Sequence, residues 1–165
     1  MAENERLVFY NGRMIPEQEA TVSIYDSALM FGDMVFEMTR SFNKEQFMLR
    51  AHLERLYDSI KYLRIPMEMS IEEMEQHCHQ VVEANEPFFG PDDEHRLMID
   101  VSRGILGLYH RAMEGNHLGT NVIISDFPLR WTVKGMGNLF EEGINAVITS
   151  QRAIPSRYLD PKIKS

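Results

Sequence analysis

The sequence is poor in cysteine and in long apolar runs. Cys78 is the single cysteine among 165 residues, so the chain can form no internal disulfide bond. No stretch approaches the ~20 consecutive apolar residues that span a bilayer. The first residues, MAENER, contain no apolar segment of the signal-peptide kind. We therefore expect a cytoplasmic protein with no membrane partner.

Positive charge is also scarce. The chain has 17 lysines and arginines against 25 aspartates and glutamates, which gives a formal net charge of -8. Binding to a nucleic-acid backbone depends mainly on lysine and arginine, so nucleic acid is not an expected partner. Any anion that the protein binds must be held by a few local cations. The length suits one complete domain but not two.

Three potential metal ligands, His77, Cys78 and His79, are adjacent in the sequence. Neighbouring residues on a helix point about 100° apart, so three in a row cannot converge on one ion. No second group of ligand-type residues has the spacing to complete such a site. We expect no bound metal and interpret Cys78 as a small core residue.

Alternation of apolar and polar residues predicts a set of β-strands. The segments are 7–10, 13–15, 35–42, 46–49, 96–102 and 121–125. The first two flank Asn11-Gly12, the strongest short-range hairpin signal. Between the last two strands, a glycine-rich run predicts a long loop of the kind found at the mouth of a site.

Two helices are predicted from the spacing of apolar residues, at 52–63 and 71–84. Ser70 and Glu73 form the sequence pattern of a capping box at the start of the second. The predicted fold class is α/β, with a mixed, mostly antiparallel sheet packed against these two helices. Residues 1–128 are interpreted as one domain, 129–137 as a connector, and 138–165 as the start of a second domain whose first strand is 144–149.

Arg55 lies at the edge of the apolar face of the first predicted helix, in a narrow stripe with His52 and Ser59. From this position two interpretations are open. The side chain can lie over the core edge with its charge in solvent, or its guanidinium can present a planar fork of donors to an anion.

The run GDMVFE at 32–37, then Arg40, then FMLRAHLERLYDSIKYLRI at 47–65, resembles the N-terminal region of class IV, or fold type IV, aminotransferases. This family includes branched-chain and D-amino-acid aminotransferases and aminodeoxychorismate lyase. The resemblance extends over nearly the whole chain, from LVFYNGRMI to DPKIKS. It implies pyridoxal 5'-phosphate as cofactor, an amino acid and a 2-oxo acid as substrates, and a homodimer.

The resemblance also implies roles for individual residues. Arg55 matches the family's arginine that binds the cofactor phosphate. Lys164, in the sequence KIKS, matches the lysine that forms a Schiff base with the cofactor aldehyde. Lys162 is two residues away, so the choice between the two lysines depends on register, and the I-K-S context favours Lys164.

Substrate-binding residues are implied in the same way. Phe31 and Phe36 fall where the family has an apolar wall, and Arg96 matches an arginine typical of branched-chain enzymes. His110 matches a histidine of D-amino-acid enzymes, whose arginine is replaced here by Leu108. Neither specificity pattern is complete. We favour a branched-chain L-amino acid, with D-amino-acid transamination and aminodeoxychorismate lysis as alternatives.

A non-catalytic alternative follows from the position of Lys164, one residue before the end of the sequence. The family carries the acidic partner of the pyridine nitrogen, and further phosphate donors, in a later segment. We therefore expect the 165-residue chain to be inactive alone, and an isolated small domain that only self-associates is the alternative to an enzyme.

Overall fold

The computed structural model describes residues 5–112, 117–158 and 160–165, and the side chains of 110–112 lie outside that description. The strands are β1 (Leu7–Tyr10), β2 (Arg13–Pro16), β3 (Met34–Phe42), β4 (Glu45–Gln46), β5 (His95–Ser102) and β6 (Asn121–Pro128). The helices are α1 (Ser27–Phe31), α2 (Leu49–Leu63), α3 (Ile71–Asn85) and α4 (Leu129–Glu142). Short 3-10 turns lie at Glu17–Glu19, Glu86–Phe88 and Gly107–Ala112.

The strands form one sheet in the order β2-β1-β6-β5-β3-β4. The α/β fold class is confirmed, but every pairing among the described strands is antiparallel rather than mixed. Two strands joined by a single crossover helix run parallel. Here two helices, α2 and α3, lie between the β3–β4 hairpin and β5, and β5 therefore runs antiparallel to β3.

One face of the sheet is covered by α2 and α3. Leu53, Leu56, Met74 and Val81 from the helices are fully or almost fully buried against apolar strand residues. Cys78 lies in this core, as its position in the helix indicates, and burial raises the pKa of its thiol to about 12. The Ser70–Glu73 capping box is present at the start of α3.

The two hairpin turns differ in how clearly the sequence predicts them. Asn11 and Gly12 have φ angles of 48° and 88°, as the predicted turn requires. The β3–β4 turn places Asn43 and Lys44 in the same left-handed region without glycine. The predicted returning strand at 46–49 is wrong beyond Gln46, because Met48 is also left-handed and α2 begins at Leu49.

One expectation for the last third of the chain is corrected. The residues predicted as a connector, 129–137, are helical and lie within α4. The predicted strand at 144–149 has no regular structure, and Ile148 is 100% exposed. A strand requires a neighbour to pair its backbone groups, and none lies beside this segment in the described part of the chain. The division into domains stays a prediction.

In the described residues, no helix combines the length and the hydrophobicity that crossing a membrane requires.

The opposite face of the sheet carries a partly buried carboxyl group, that of Asp100. Asp100 alternates with the core residues Ile99 and Val101 and lies directly across from Phe36 on β3. Its Oδ1 atom is buried and accepts no hydrogen bond from any described residue. Burial raises the pKa of Asp100 to about 6. The fold therefore accommodates the neutral acid better than the carboxylate.

We expect Asp100→Asn to stabilise the protein at alkaline pH. Because the native pKa is raised from 3.8 to about 6, the wild-type chain loses stability as pH rises through that value. The free energy of unfolding should rise by on the order of 2 kcal/mol at about pH 8 and change little near pH 4, measured by urea denaturation. The exposed Asp92→Asn is the control. An equal gain at both pH values would contradict this role of burial.

Candidate functional site

A buried carboxylate lies between the sheet and α2. Glu37 is on β3, and its side chain is 1% exposed. Arg55 donates to it through both Nε and Nη2, the latter at 2.8 Å, and His52 Nδ1 lies 2.8 Å from Oε2. Lys164 Nζ donates to the same Oε2 at 3.3 Å. One acidic group thus joins β3, α2 and the segment around Lys164.

The local periodicities explain why these side chains meet. Alternation along β3 turns Glu37 toward the helix-covered face of the sheet. His52 and Arg55 are three residues apart on α2 and therefore lie on one side of the helix. The stripe predicted beside the apolar face of this helix is therefore correct, and a carboxylate lies opposite it.

The electrostatics of Glu37 result from two opposing effects. Burial raises the pKa of its carboxyl group, but hydrogen bonds from Arg55 and His52 and the charge of Lys164 outweigh it and lower the pKa to about 2. The hydrogen bond to Glu37 raises the pKa of Arg55 in turn. Glu37 is therefore a fixed anion at neutral pH.

Lys164 is held by both its backbone and its side chain. The Phe36 amide donates to the Lys164 carbonyl at 3.0 Å, which places this residue beside the edge of β3. Its Nζ lies 4.8 Å from the centroid of the Phe36 ring. The predicted catalytic lysine and the predicted aromatic wall are therefore adjacent.

Two clefts flank this arrangement. The lysine cleft has a volume of about 460 Å³, and its lining includes Met38, Arg40, His52, Arg96, Leu129 and Lys164. The arginine cleft has a volume of about 430 Å³, and its lining includes Arg55, Ser59, Tyr62, Asp160, Lys162 and Ile163. Lys162 and Lys164 thus lie at different clefts, although only one residue separates them.

The lysine cleft contains two arginines from neighbouring strands. Arg40 on β3 and Arg96 on β5 are directly paired in the sheet register. Arg96 donates to Met38 Sδ at 2.7 Å and to Thr132 Oγ1 at 2.6 Å, and Arg40 donates to the Ser41 carbonyl at 3.1 Å. The cleft can therefore present two guanidinium groups to an anionic ligand.

The family follows from the match of a family model, described as amino-transferase class IV, to residues 34–165. The chain belongs to the class IV aminotransferases. The matched part contains every residue of the site described above.

Curated relatives of this class IV aminotransferase carry more than one activity in their names. A Methanocaldococcus jannaschii relative, provisionally assigned as a branched-chain-amino-acid aminotransferase, is 34% identical over 96% of this chain and 50% of its own length. The Escherichia coli K12 branched-chain-amino-acid aminotransferase is 30% identical over 90% of this chain and 47% of its own. A Bacillus licheniformis D-alanine aminotransferase is also 30% identical, over 96% of this chain and 50% of its own.

Solved structures show the same fold. The E. coli branched-chain enzyme aligns with a TM-score of 0.70 at 28% identity, over 92% of this chain and 47% of that one. A T.th. branched-chain aminotransferase complexed with N-(5'-phosphopyridoxyl)-L-glutamate aligns with a TM-score of 0.73 at 24% identity, over 98% and 50%. The chain spans about half the length of the relatives that it matches.

The predicted site residues of this class IV aminotransferase are only partly brought together. Lys164 and Arg96 line the lysine cleft, and Arg55 lines the arginine cleft. Phe36 lies beside Lys164 but is not part of either lining. Phe31 lies on α1, is 62% exposed, and lines neither of these clefts. The side chain of His110 lies outside the described residues. The roles of all six residues stay predictions.

Two residues of the site have no role in the sequence interpretation. Arg40 reaches the lysine cleft only through the β3–β5 register, which the sequence does not reveal. Glu37 carries a usable signal, because an acidic residue on the core-facing side of a strand requires a charged partner.

We expect the contribution of Glu37 to stability to disappear in acid. Its pKa is lowered from 4.5 to about 2, so the contribution is complete above the ordinary value and is lost as pH falls through about 2. Glu37→Gln should lower the free energy of unfolding by roughly 2 kcal/mol at pH 7 and by less at pH 3, measured by urea denaturation. Glu54→Gln, on the exposed side of α2, is the control. A deficit independent of pH would contradict an ionic contribution.

Proposed function

We propose that this chain carries the lysine and the phosphate-binding arginine of a pyridoxal-phosphate-dependent transaminase. Its reaction would transfer the amino group of a branched-chain L-amino acid to a 2-oxo acid. The observation that carries the proposal is the convergence of Lys164 and Arg55 on one carboxylate, with Phe36 beneath the amine. A cytoplasmic homodimer is part of the proposal, and the exposed apolar side chains of Leu29 and Phe31 on α1 support such an interface.

The residues present fit a phosphorylated aldehyde cofactor. A guanidinium has five N–H donors, and Arg55 directs two of its nitrogens, Nε and Nη2, to Glu37. Its remaining N–H groups donate to no described residue, and its side chain borders the arginine cleft at 53% exposure. A phosphate can therefore accept from Arg55 there, while the Lys164 amine is available for an aldehyde.

When bound, pyridoxal phosphate supplies the electron sink that allows bonds at a substrate Cα to break. The chain's own groups would do the rest. Lys164 Nζ would move the proton at the substrate Cα, Phe36 would form an apolar wall, and Arg40 with Arg96 would hold a substrate carboxylate. Met38, between the arginines and Phe36 on the same face, extends the apolar surface.

The two lysines should behave differently in cofactor trapping. When the full-length protein is incubated with pyridoxal phosphate and reduced with borohydride, we expect the cofactor on the peptide containing Lys164. Lys164→Ala should abolish both trapping and turnover, because no other amine lies beside Phe36 in the described residues. Lys162→Ala should retain both, because Lys164 keeps its place beside Phe36 in that variant. Cofactor on Lys162, identified by peptide mass analysis, would overturn this assignment.

Substrate choice should follow the apolar side chains in the lysine cleft and beside Lys164. With Phe36 and Met38 as apolar surface, we expect the full-length enzyme to use leucine, isoleucine or valine at least about tenfold better than D-alanine, as kcat/KM. Arg96→Gln should lower kcat/KM for the 2-oxo acid by roughly tenfold or more. Preference for D-alanine is the alternative to test, because one relative is a D-alanine aminotransferase. Preference for D-alanine, or release of pyruvate from aminodeoxychorismate, would reject branched-chain specificity.

A further inference from the structure

Glu37 has the wrong charge for direct contact with an anionic cofactor. It is nevertheless central to the proposed cofactor site, buried, ionised and within hydrogen-bond distance of three basic side chains. An anion in this position weakens phosphate binding by repulsion unless it improves the placement of the cations. Its function therefore lies in what it does to Arg55 and Lys164.

The contact with Arg55 is made by one edge of the guanidinium. Nε and Nη2 lie on that edge, and both donate to Glu37, one to each carboxylate oxygen. A bidentate contact of this kind fixes the plane of the guanidinium as well as its position. The side chain is 53% exposed, so without this contact it would have several rotamers available. Glu37 thus directs the opposite edge of Arg55 into the arginine cleft.

The contact with Lys164 uses an oxygen that is already shared. Glu37 Oε2 accepts from Arg55 Nη2 at 2.8 Å, lies 2.8 Å from His52 Nδ1, and accepts from Lys164 Nζ at 3.3 Å. The lysine contact is the longest of the three. The strength with which the carboxylate holds the ammonium group therefore depends on how strongly Arg55 competes for it.

We propose that Glu37 is the positioning residue of the cofactor site, where it orients Arg55 toward the phosphate and holds the Lys164 amine above Phe36 in competition with Arg55. The identity of the phosphate rests on the proposed function, but the competition does not. Loss of the Arg55 contact strengthens the hold of Glu37 on Lys164. Glu37 thereby couples the position of Arg55, which lines the arginine cleft, to the state of the lysine.

The competition can be measured without cofactor by acetylation of lysines in the full-length protein. The readout is the acetylation rate of Lys164 divided by that of Lys134, from peptide mass analysis after brief treatment with acetic anhydride at neutral pH. Lys134 is exposed on α4 and lines neither cleft. Glu37→Gln should raise this ratio about fivefold, because the amine loses its ionic partner. Arg55→Gln should lower it, because Glu37 then binds the Lys164 ammonium group without competition from Arg55. The control is Glu54→Gln on the exposed side of α2, which should leave the ratio unchanged.

The opposite signs separate positioning from a merely structural role. A loosened site would raise the ratio in both variants, and that result, or an unchanged ratio in either variant, would overturn the proposal. If Glu37→Gln does not fold, the Arg55→Gln arm decides alone, since an unchanged or raised ratio there contradicts the competition. A further result is that the wild-type protein binds no pyridoxal phosphate while the two variants still show their ratio changes. That result would reject the proposed function and retain the role of Glu37.

Discussion

The structure depends on a carboxylate buried between β3 and α2. A buried charge is tolerated only when its hydrogen-bonding capacity is satisfied by groups of opposite charge. Arg55 and His52 satisfy Glu37, and both are on α2. Two contacts therefore determine the orientation of α2 about its own axis. Its apolar face packs against the sheet, and Arg55 and His52 bind Glu37. Replacement of the ion pair by apolar residues could give an equally stable core, so stability alone does not account for Glu37.

The second constraint is the register of the antiparallel sheet. Pairing of β3 with β5 places Arg40 opposite Arg96 and Phe36 opposite Asp100. Because side chains alternate between faces, a shift of one residue in either strand would turn one arginine toward the core. The lysine cleft is thus a product of register. The Phe36 amide then binds the Lys164 carbonyl at the other edge of β3, which brings the amine to the same cleft.

The sequence predicted what depends on short spacing and missed what depends on long-range pairing. The helix containing Arg55 and the Asn11-Gly12 hairpin were predictable because periodicity and turn chemistry are local. The helix at Leu129–Glu142 was not, since Gly135 and Gly137 weaken its pattern. The segment 144–149 has the composition of a strand, but a strand also requires a partner that composition does not reveal. In the site, the resemblance selected Arg55 and Lys164. Their common partner Glu37 has a local signal, an acidic residue on the core-facing side of a strand, but only packing shows which cations it contacts.

The charge distribution gives the site its physical character. The chain as a whole is acidic, with a formal net charge of -8, so its overall field does not attract anions. Arg40, Arg55, Arg96 and Lys164 are nevertheless gathered at two adjoining clefts, with Glu37 as the ionised carboxylate between them. At physiological ionic strength, charges separated by more than ~8 Å are largely screened. A bound anion would therefore respond to these local cations more than to the distant acidic surface. The placement of these cations, two of which contact Glu37, thus matters more for affinity than the total charge of the protein.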